Sequence, residues 1–270
     1  GFQSSKVKIL VGIVQPHFAS GFIGGPDLLL PGASSLKTIE ANRSLTMNGT
    51  IDPLRYKENP IHKDSLEAAK MIGETLLITV VLDKWGRIAG FYCGELEPTF
   101  TEAVSQYVQQ HSWTLDTKPD IIVASSDGSY YSNDLYHAVR ILPFLWNIQK
   151  RDGSTIVLAG ECRNGIGDAD FLTYSKNNEG RKSLQTSMKK QGFTLGGHVA
   201  LLLKEALEKS RVQLVSVLPD VYTRSFGLKP SRTVSAGVQS AVRAEGKDAK
   251  ILIIPRGSIA LPTIQPSPQD

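Results

Sequence analysis

A chain of 270 residues, 41% hydrophobic and 21% charged, has the composition of a globular protein with one large domain or two ordinary ones. Its net charge of +4 is mild and scattered, with no Lys/Arg-rich run, which argues against nucleic acid as a partner. No apolar stretch is long enough to span a membrane, and two cysteines, Cys93 and Cys162, suit a reducing compartment better than a disulfide scaffold. A cytoplasmic protein is the expectation. The chain opens on Gly1 with a strand pattern almost at once, as a chain bearing an expression scar or one beginning inside a domain would, and it lacks the form of a signal peptide.

Taken in order, "VKILVGIV" (7–14) reads as a buried strand. "HFASGFIGGPDLLLPGASS" (17–35) then sets a histidine before Gly21, Gly24, Gly25 and Gly32, in a run with few charges. Glycine lets backbone approach a ligand closely, and histidine carries protons or binds metals, so the stretch has the makings of a cofactor loop. A phosphate-holding loop would more often carry lysine than Asp27. Residues 34–45 read as a helix with a serine cap and 63–74 as a second helix. "LLITVVLD" and "RIAGFYCG" are strands joined by a "KWGR" hairpin turn, and "EPTFTEAVSQYVQQHS" is an amphipathic helix.

After a linker at 113–119 the rhythm changes. Strands "DIIVASS", "STIVLAG", "VQLVSVL" and "AKILIIP" alternate with helical stretches at 133–150, 181–190, 197–210 and 232–245. Ile/Val/Leu-rich strands alternating with helices imply a parallel sheet covered on both faces. The expected fold is therefore α/β with two domains, 1–112 and 118–265, the second a Rossmann-like three-layer parallel sheet. Ligands bind beyond the carboxyl ends of such strands. Those ends carry "SSDGSYYSNDLYHAVR", "AGECRNGIGD", "LPDVY" and "IPRGSIALP", loops that also read as ordinary helix caps. No dinucleotide fingerprint follows the first strand of this sheet, and Gly165-Ile166-Gly167 alone is weak. The tail "PTIQPSPQD" is expected to fray.

The histidines divide by context. His17, before the glycine loop, is the functional candidate; His62, ahead of a helix, reads as a surface or cap residue. His111 ends a helix, where an imidazolium suits the dipole. His137 stands one turn into a helix with Arg140 three residues on, a pair that could meet an anion. His198 follows Gly196-Gly197 at a helix start and stays ambiguous. No two histidines have the spacing of a dedicated metal site, and no P-loop or nucleophile elbow appears.

Several motifs in one order resemble a known family: "PHFASGFIGG", "LLLPGASSLKTIEANRS", "NPIHKDSLEAAKMIG", "LLITVVLD", "DLYHAVR", "GECRNGIGD", "LGGHVALLL" and "IPRGSIALP". They are similar to the nickel-dependent lactate racemases, the LarA-like proteins, over nearly the whole chain. The resemblance implies two domains with an active site in the cleft between them. In active members a nickel-pincer nucleotide takes hydride from the α-carbon of a 2-hydroxy acid, while two histidines move the hydroxyl proton. His17 matches one of them; the other belongs to a family region upstream of Gly1.

The resemblance also marks departures. Where the family follows "GG" with Arg-Lys, the lysine being the thioamide tether, this chain has Pro26-Asp27 after Gly24-Gly25. Where the family has Asn-His, the histidine being a nickel ligand, this chain has Asn42-Arg43, and a guanidinium offers a metal no lone pair. The family's Tyr-Gln-x-x-Lys becomes Tyr136-His137-Ala138-Val139-Arg140, with Arg140 still able to hold a carboxylate. The expectation is a member of an isomerase family that carries no cofactor or metal in this chain and is inactive alone. Its partner is a small 2-hydroxy acid or other small anion, and a homo-oligomer is left open. The rival expectation is a non-catalytic module that binds carboxylate or phosphate through Arg43, Arg140 and the glycine loop.

Overall fold

The computed structural model describes residues 4–49, 52–176 and 180–265, with Ser129 described by its backbone alone. The chain divides after Ser112 into two compact units.

In the first unit, strand β1 (Ile9–Ile13) leads into a small hairpin of β2 (Gln15–His17) and β3 (Gly21–Ile23), and a 3-10 turn over Pro26–Leu28 follows. Helix α1 (Leu36–Ser44) starts at Ser35, whose side chain accepts from the Thr38 amide; α2 (Pro60–Ile72) is capped by Asn59 with proline at its first position. The expected hairpin joins β4 (Leu76–Leu82) to β5 (Ile88–Glu95), with Gly86 at φ +82° where an ordinary side chain would be strained. Helix α3 (Leu96–His111) buries Phe100, Ala103, Val104 and Tyr107, the i, i+3, i+4, i+7 stripe of an amphipathic helix.

Strands run in the order β1-β4-β5, β1 parallel to β4 and β5 antiparallel to it, and α3 packs on β4 and β5. The first strand is not buried as its composition suggested. Leu10 is covered, whereas Ile9, Val11 and Ile13 are exposed, as are Leu76 and Phe91 beside them. Register sets Ile9 against Leu76, Ile13 against Val80, and Val80 against Phe91, so these apolar residues share one sheet face. A continuous apolar run signals two apolar faces, and among the described residues only one is packed away.

Strand β6 (Ser112–Leu115) begins at the division between the units, occupies the start of the expected linker and pairs with the last strand. There follow β7 (Ile121–Ser125), α4 (Gly128–Ser132), α5 (Leu135–Ala138), α6 (Pro143–Trp146), β8 (Ser154–Ala159), α7 (Ala169–Ser175), α8 (Arg181–Gln191) and α9 (Gly196–Lys209). Then come β9 (Ser210–Val215), α10 (Asp220–Ser225), β10 (Lys229–Ser231), α11 (Val234–Glu245), β11 (Ile251–Ile254) and β12 (Leu261–Ile264). Five of these strands form an all-parallel sheet in the order β10-β9-β8-β7-β11. Helix α11 packs on β7 and β8 through a core of Ile121, Val123, Val157 and Ala241, and the largely buried α9 packs against β9. The α/β expectation with a Rossmann-like second domain stands.

Two details differ from the sequence reading. The stretch at 133–150 is two short helices with a 3-10 turn between them, because Pro143 has no amide hydrogen to continue a helical ladder. The expected frayed tail contributes its residues 262–264 to β12, which pairs with β6; residues 266–270 of it lie outside the described residues.

Candidate functional site

The first group of candidate residues surrounds the glycine loop. His17 ends β2, and its Nδ1 accepts from the backbone amides of Ala19 and Ser20 at 3.3 and 3.2 Å. A neutral ring bonded that way carries its proton on Nε2 and presents a donor there. Gly24 has φ +98°, and a Cβ on it would lie 2.3 Å from the Ile13 carbonyl oxygen, so only glycine lets the loop close on β1. The amides of Gly24 and Gly25 converge on one acceptor, Asp27 Oδ1, at 2.7 and 2.8 Å. Two convergent amides make an anion cradle, and the chain's own carboxylate fills it.

Beside this loop lies Arg43, only 6% exposed near the end of α1. Its Nη1 donates to Asn42 Oδ1 at 2.9 Å and Ser20 Oγ at 3.3 Å, while Asn42 Nδ2 donates to Asp64 Oδ2 at 2.8 Å. Burial pushes the Asp27 carboxyl above its ordinary value; the hydrogen bonds from Gly25 and Gly24 and the Arg43 charge oppose that rise without cancelling it. His17, Gly24, Gly25, Asp27 and Arg43 thus form one neighbourhood, with Ser20 touching both His17 and Arg43. Ser20 carried no sequence signal.

The second group lies at the carboxyl end of the parallel sheet. The Gly165–Gly167 loop after β8 pins the start of α5: Leu135 N–H donates to Gly165 O and Tyr136 N–H to Ile166 O, each at 3.0 Å. Asp134 caps that helix, and its Oδ1 accepts from the His137 amide at 2.9 Å and from His137 Nδ1–H at 2.7 Å. Gly167 makes room for it, since a Cβ there would stand 2.5 Å from the Asp134 carboxylate. The His137 ring meets Tyr130 and Tyr136 edge-on, with centroids 4.8 and 5.2 Å away. The Arg140 guanidinium lies over Tyr136, 4.2 Å from the ring centre. Tyr136, His137 and Arg140 are therefore one half-buried cluster. Asp134 and Tyr130 belong to it and were not singled out; the Asp-x-x-His spacing of a helix cap was the available signal.

Nearby, Asp127 holds φ +64° and accepts from Arg256 Nε at 2.9 Å and Ser258 Oγ at 3.0 Å, tying the β7 and β11 ends together. His62 is the correction among the histidines. It is buried, stacked on Phe100 and edge-on to Tyr56, and burial drives its imidazole down to about 4. Its cover comes from residues distant in sequence, which a local reading cannot see. His111 closes α3 as expected and stacks on Tyr107; His198, in the first turn of α9, contacts the Leu195 carbonyl. Among the described residues, no three His, Cys, Asp or Glu side chains are grouped to hold a metal ion. A cavity of about 520 Å³ opens at the amino ends of β8 and β9, lined by Thr155, Ser210 and Arg211, at the opposite end of the sheet from Tyr136, His137 and Arg140.

Comparison with known proteins gives a consistent result. A family model described as the lactate racemase C-terminal domain matches residues 115–261, and one described as the lactate racemase N-terminal domain matches residues 2–52. The lactate racemase of Thermoanaerobacterium thermosaccharolyticum is 27% identical over 260 residues, covering 94% of this chain and 60% of that protein. The lactate racemase of Lactiplantibacillus plantarum is 27% identical over 270 residues, with 94% and 61% covered. The chain thus spans about 60% of the length of these curated relatives. The structure of the T. thermosaccharolyticum lactate racemase apoprotein superposes with a TM-score of 0.87 at 25% identity, over 98% of this chain and 64% of that one. A Thermotoga maritima protein shares the fold, at TM-score 0.72, 16% identity and coverages of 98% and 68%.

Proposed function

The chain belongs to the lactate racemase family, and on that premise we propose that its second unit holds a small 2-hydroxy acid while its glycine loop no longer accepts the nickel-pincer nucleotide. The observation that carries this reading is the Asp27 carboxylate seated on the Gly24 and Gly25 amides. The family's tether needs an amine at that position, and a carboxylate cannot form the link. The family's metal ligand needs a neutral donor at position 43, where a buried guanidinium has no lone pair to give. The residues present do not fit the group. His17 alone would be a single ligand, from which nickel would exchange readily.

A second reading, a non-catalytic binding module for small carboxylates, has its own support. Arg140 and Tyr136 remain clustered with His137, ready to meet a carboxylate, while the loop that would supply the chemistry is closed on itself. One experiment separates the two. The purified chain, supplied with mature cofactor, is incubated with L-lactate in D₂O and followed for racemisation and α-hydrogen exchange, with calorimetric titration alongside. Binding without racemisation is expected. Exchange of the α-hydrogen would exclude the non-catalytic module, and its absence would favour it. Racemisation above the buffer control would overturn both.

A further inference from the structure

An imidazole has two nitrogens, and the bond made by one decides what the other can do. His137 gives its Nδ1–H to Asp134 Oδ1 at 2.7 Å, so its neutral ring presents Nε2 as a bare lone pair. That is the reverse of His17, whose Nδ1 is the acceptor. The arrangement at His137 is held from several sides. Asp134 is fixed by the helix start it caps, by the Gly165 and Ile166 carbonyls that pin Leu135 and Tyr136, and by the space Gly167 leaves. Tyr130 and Tyr136 wall the ring. Arg140, one turn on from His137, lies over the Tyr136 ring as well. An acceptor and a cation therefore both abut the Tyr136 ring, at the sheet end where ligands of such folds bind.

A 2-hydroxy acid carries a carboxylate and, on the adjacent carbon, an O–H that can donate. The corresponding 2-oxo acid has a carbonyl there, which can only accept. We propose that His137, oriented by Asp134, makes this site selective for the 2-hydroxy acid, accepting the ligand's hydroxyl hydrogen on Nε2 while Arg140 holds its carboxylate. The inference rests on the reading that the second unit binds a 2-hydroxy acid, and adds the residue that chooses the oxidation level. A 2-oxo acid would set two lone pairs against each other, an unsatisfied contact that costs more than a merely absent hydrogen bond. Glutamine, the family's residue here by resemblance, has both a donor and an acceptor and draws no such distinction. Asp134 is a positioning residue: it touches no ligand and acts by setting the tautomer.

The test is calorimetric titration of the chain at pH 8.5 with L-lactate and with pyruvate, repeated on His137→Gln, His137→Phe and Asp134→Asn. The wild type should bind lactate at least about tenfold more tightly than pyruvate, one hydrogen bond's worth of discrimination. In His137→Gln and His137→Phe the two affinities should fall within about threefold of each other, the carboxylate contact persisting. Long-range ¹H–¹⁵N spectra should show the His137 proton on Nδ1 in the wild type and a mixed tautomer in Asp134→Asn, a change that loosened packing alone would not produce. Equal wild-type affinities, or selectivity that survives both His137 variants, would overturn the inference while leaving carboxylate binding intact. If neither acid binds, the underlying reading falls, and this inference with it.

Discussion

Asp27 accepts the amide hydrogen of Gly24 at 2.7 Å, across a turn that closes only because Gly24 has no side chain. The same carboxylate oxygen takes the Gly25 amide. Removing it should therefore unfasten the loop. Asp27→Ala leaves two part-buried amides without their acceptor and should destabilise the chain by about 1–3 kcal/mol in urea unfolding, a loss absent if the loop were held by its packing alone.

Asp27→Asn keeps an acceptor oxygen and discards the charge, so it isolates the cost of ionising this group. Burial raises the folded-state carboxyl above 3.8, and a raised acid contributes stability that is present below its unfolded value and lost as pH rises through the folded one. The wild type should lose stability relative to Asp27→Asn as pH rises above the ordinary carboxylate value. A difference that stays flat, or runs the other way, would show that Arg43 and the amides outweigh burial.

At Gly24 the geometry makes a sharper demand. Alanine there would combine φ +98° with a 2.3 Å approach to the Ile13 carbonyl, and the backbone strain alone is worth about 1–3 kcal/mol. Gly24→Ala should lower the unfolding midpoint, with protease cleavage appearing within residues 21–32. An unchanged midpoint would mean that the loop has another way to close.

His62 sets an acid limit. Its imidazole falls from 6.5 to about 4 because burial beneath Tyr56 and Phe100 penalises the charged form. A depressed histidine contributes stability that is complete above 6.5 and lost as pH falls toward 4, here on the order of 2–3 kcal/mol. Stability measured from pH 7 to pH 4 should decline with that amplitude, and His62→Gln should flatten the decline. An equal slope in the variant would place the acid sensitivity elsewhere.

The two thiols should separate cleanly. Cys93 is exposed on β5, whereas Cys162 is buried, with burial first and the charges of Asp134 and Glu161 next in driving its thiol up to about 12. Native protein should titrate one thiol with a disulfide reagent and denatured protein two, since the thiolate is the reactive form. Two fast thiols in the native state would contradict the burial of Cys162.

Much of this architecture could be read from the chain, for definite reasons. Alternating apolar strands and helices after residue 118 have one compact solution, and five parallel strands form it. The capping serine of α1 and the KWGR turn are local signals, and local signals survive folding. Contacts distant in sequence were less legible. His62 looked like a surface residue because Phe100 arrives from α3 to cover it. Arg43 could be named from the motif, but its burial and its bond to Ser20 depend on how α1 packs beside the loop. Val11 read as core because an apolar strand does not say which of its faces will be covered. Gly165 to Gly167 looked too weak to be a nucleotide motif, and in the structure those residues serve to position Asp134.

Whether the loop from His17 to Arg43 takes the family's cofactor is decided by the intact mass of the chain. The protein is produced in a host able to make the nickel-pincer nucleotide, purified without chelator, and weighed by mass spectrometry. The unmodified mass of 29.4 kDa is expected, with Asp27 unaltered in the peptide map. An added mass on the peptide spanning residues 17–43 would contradict it.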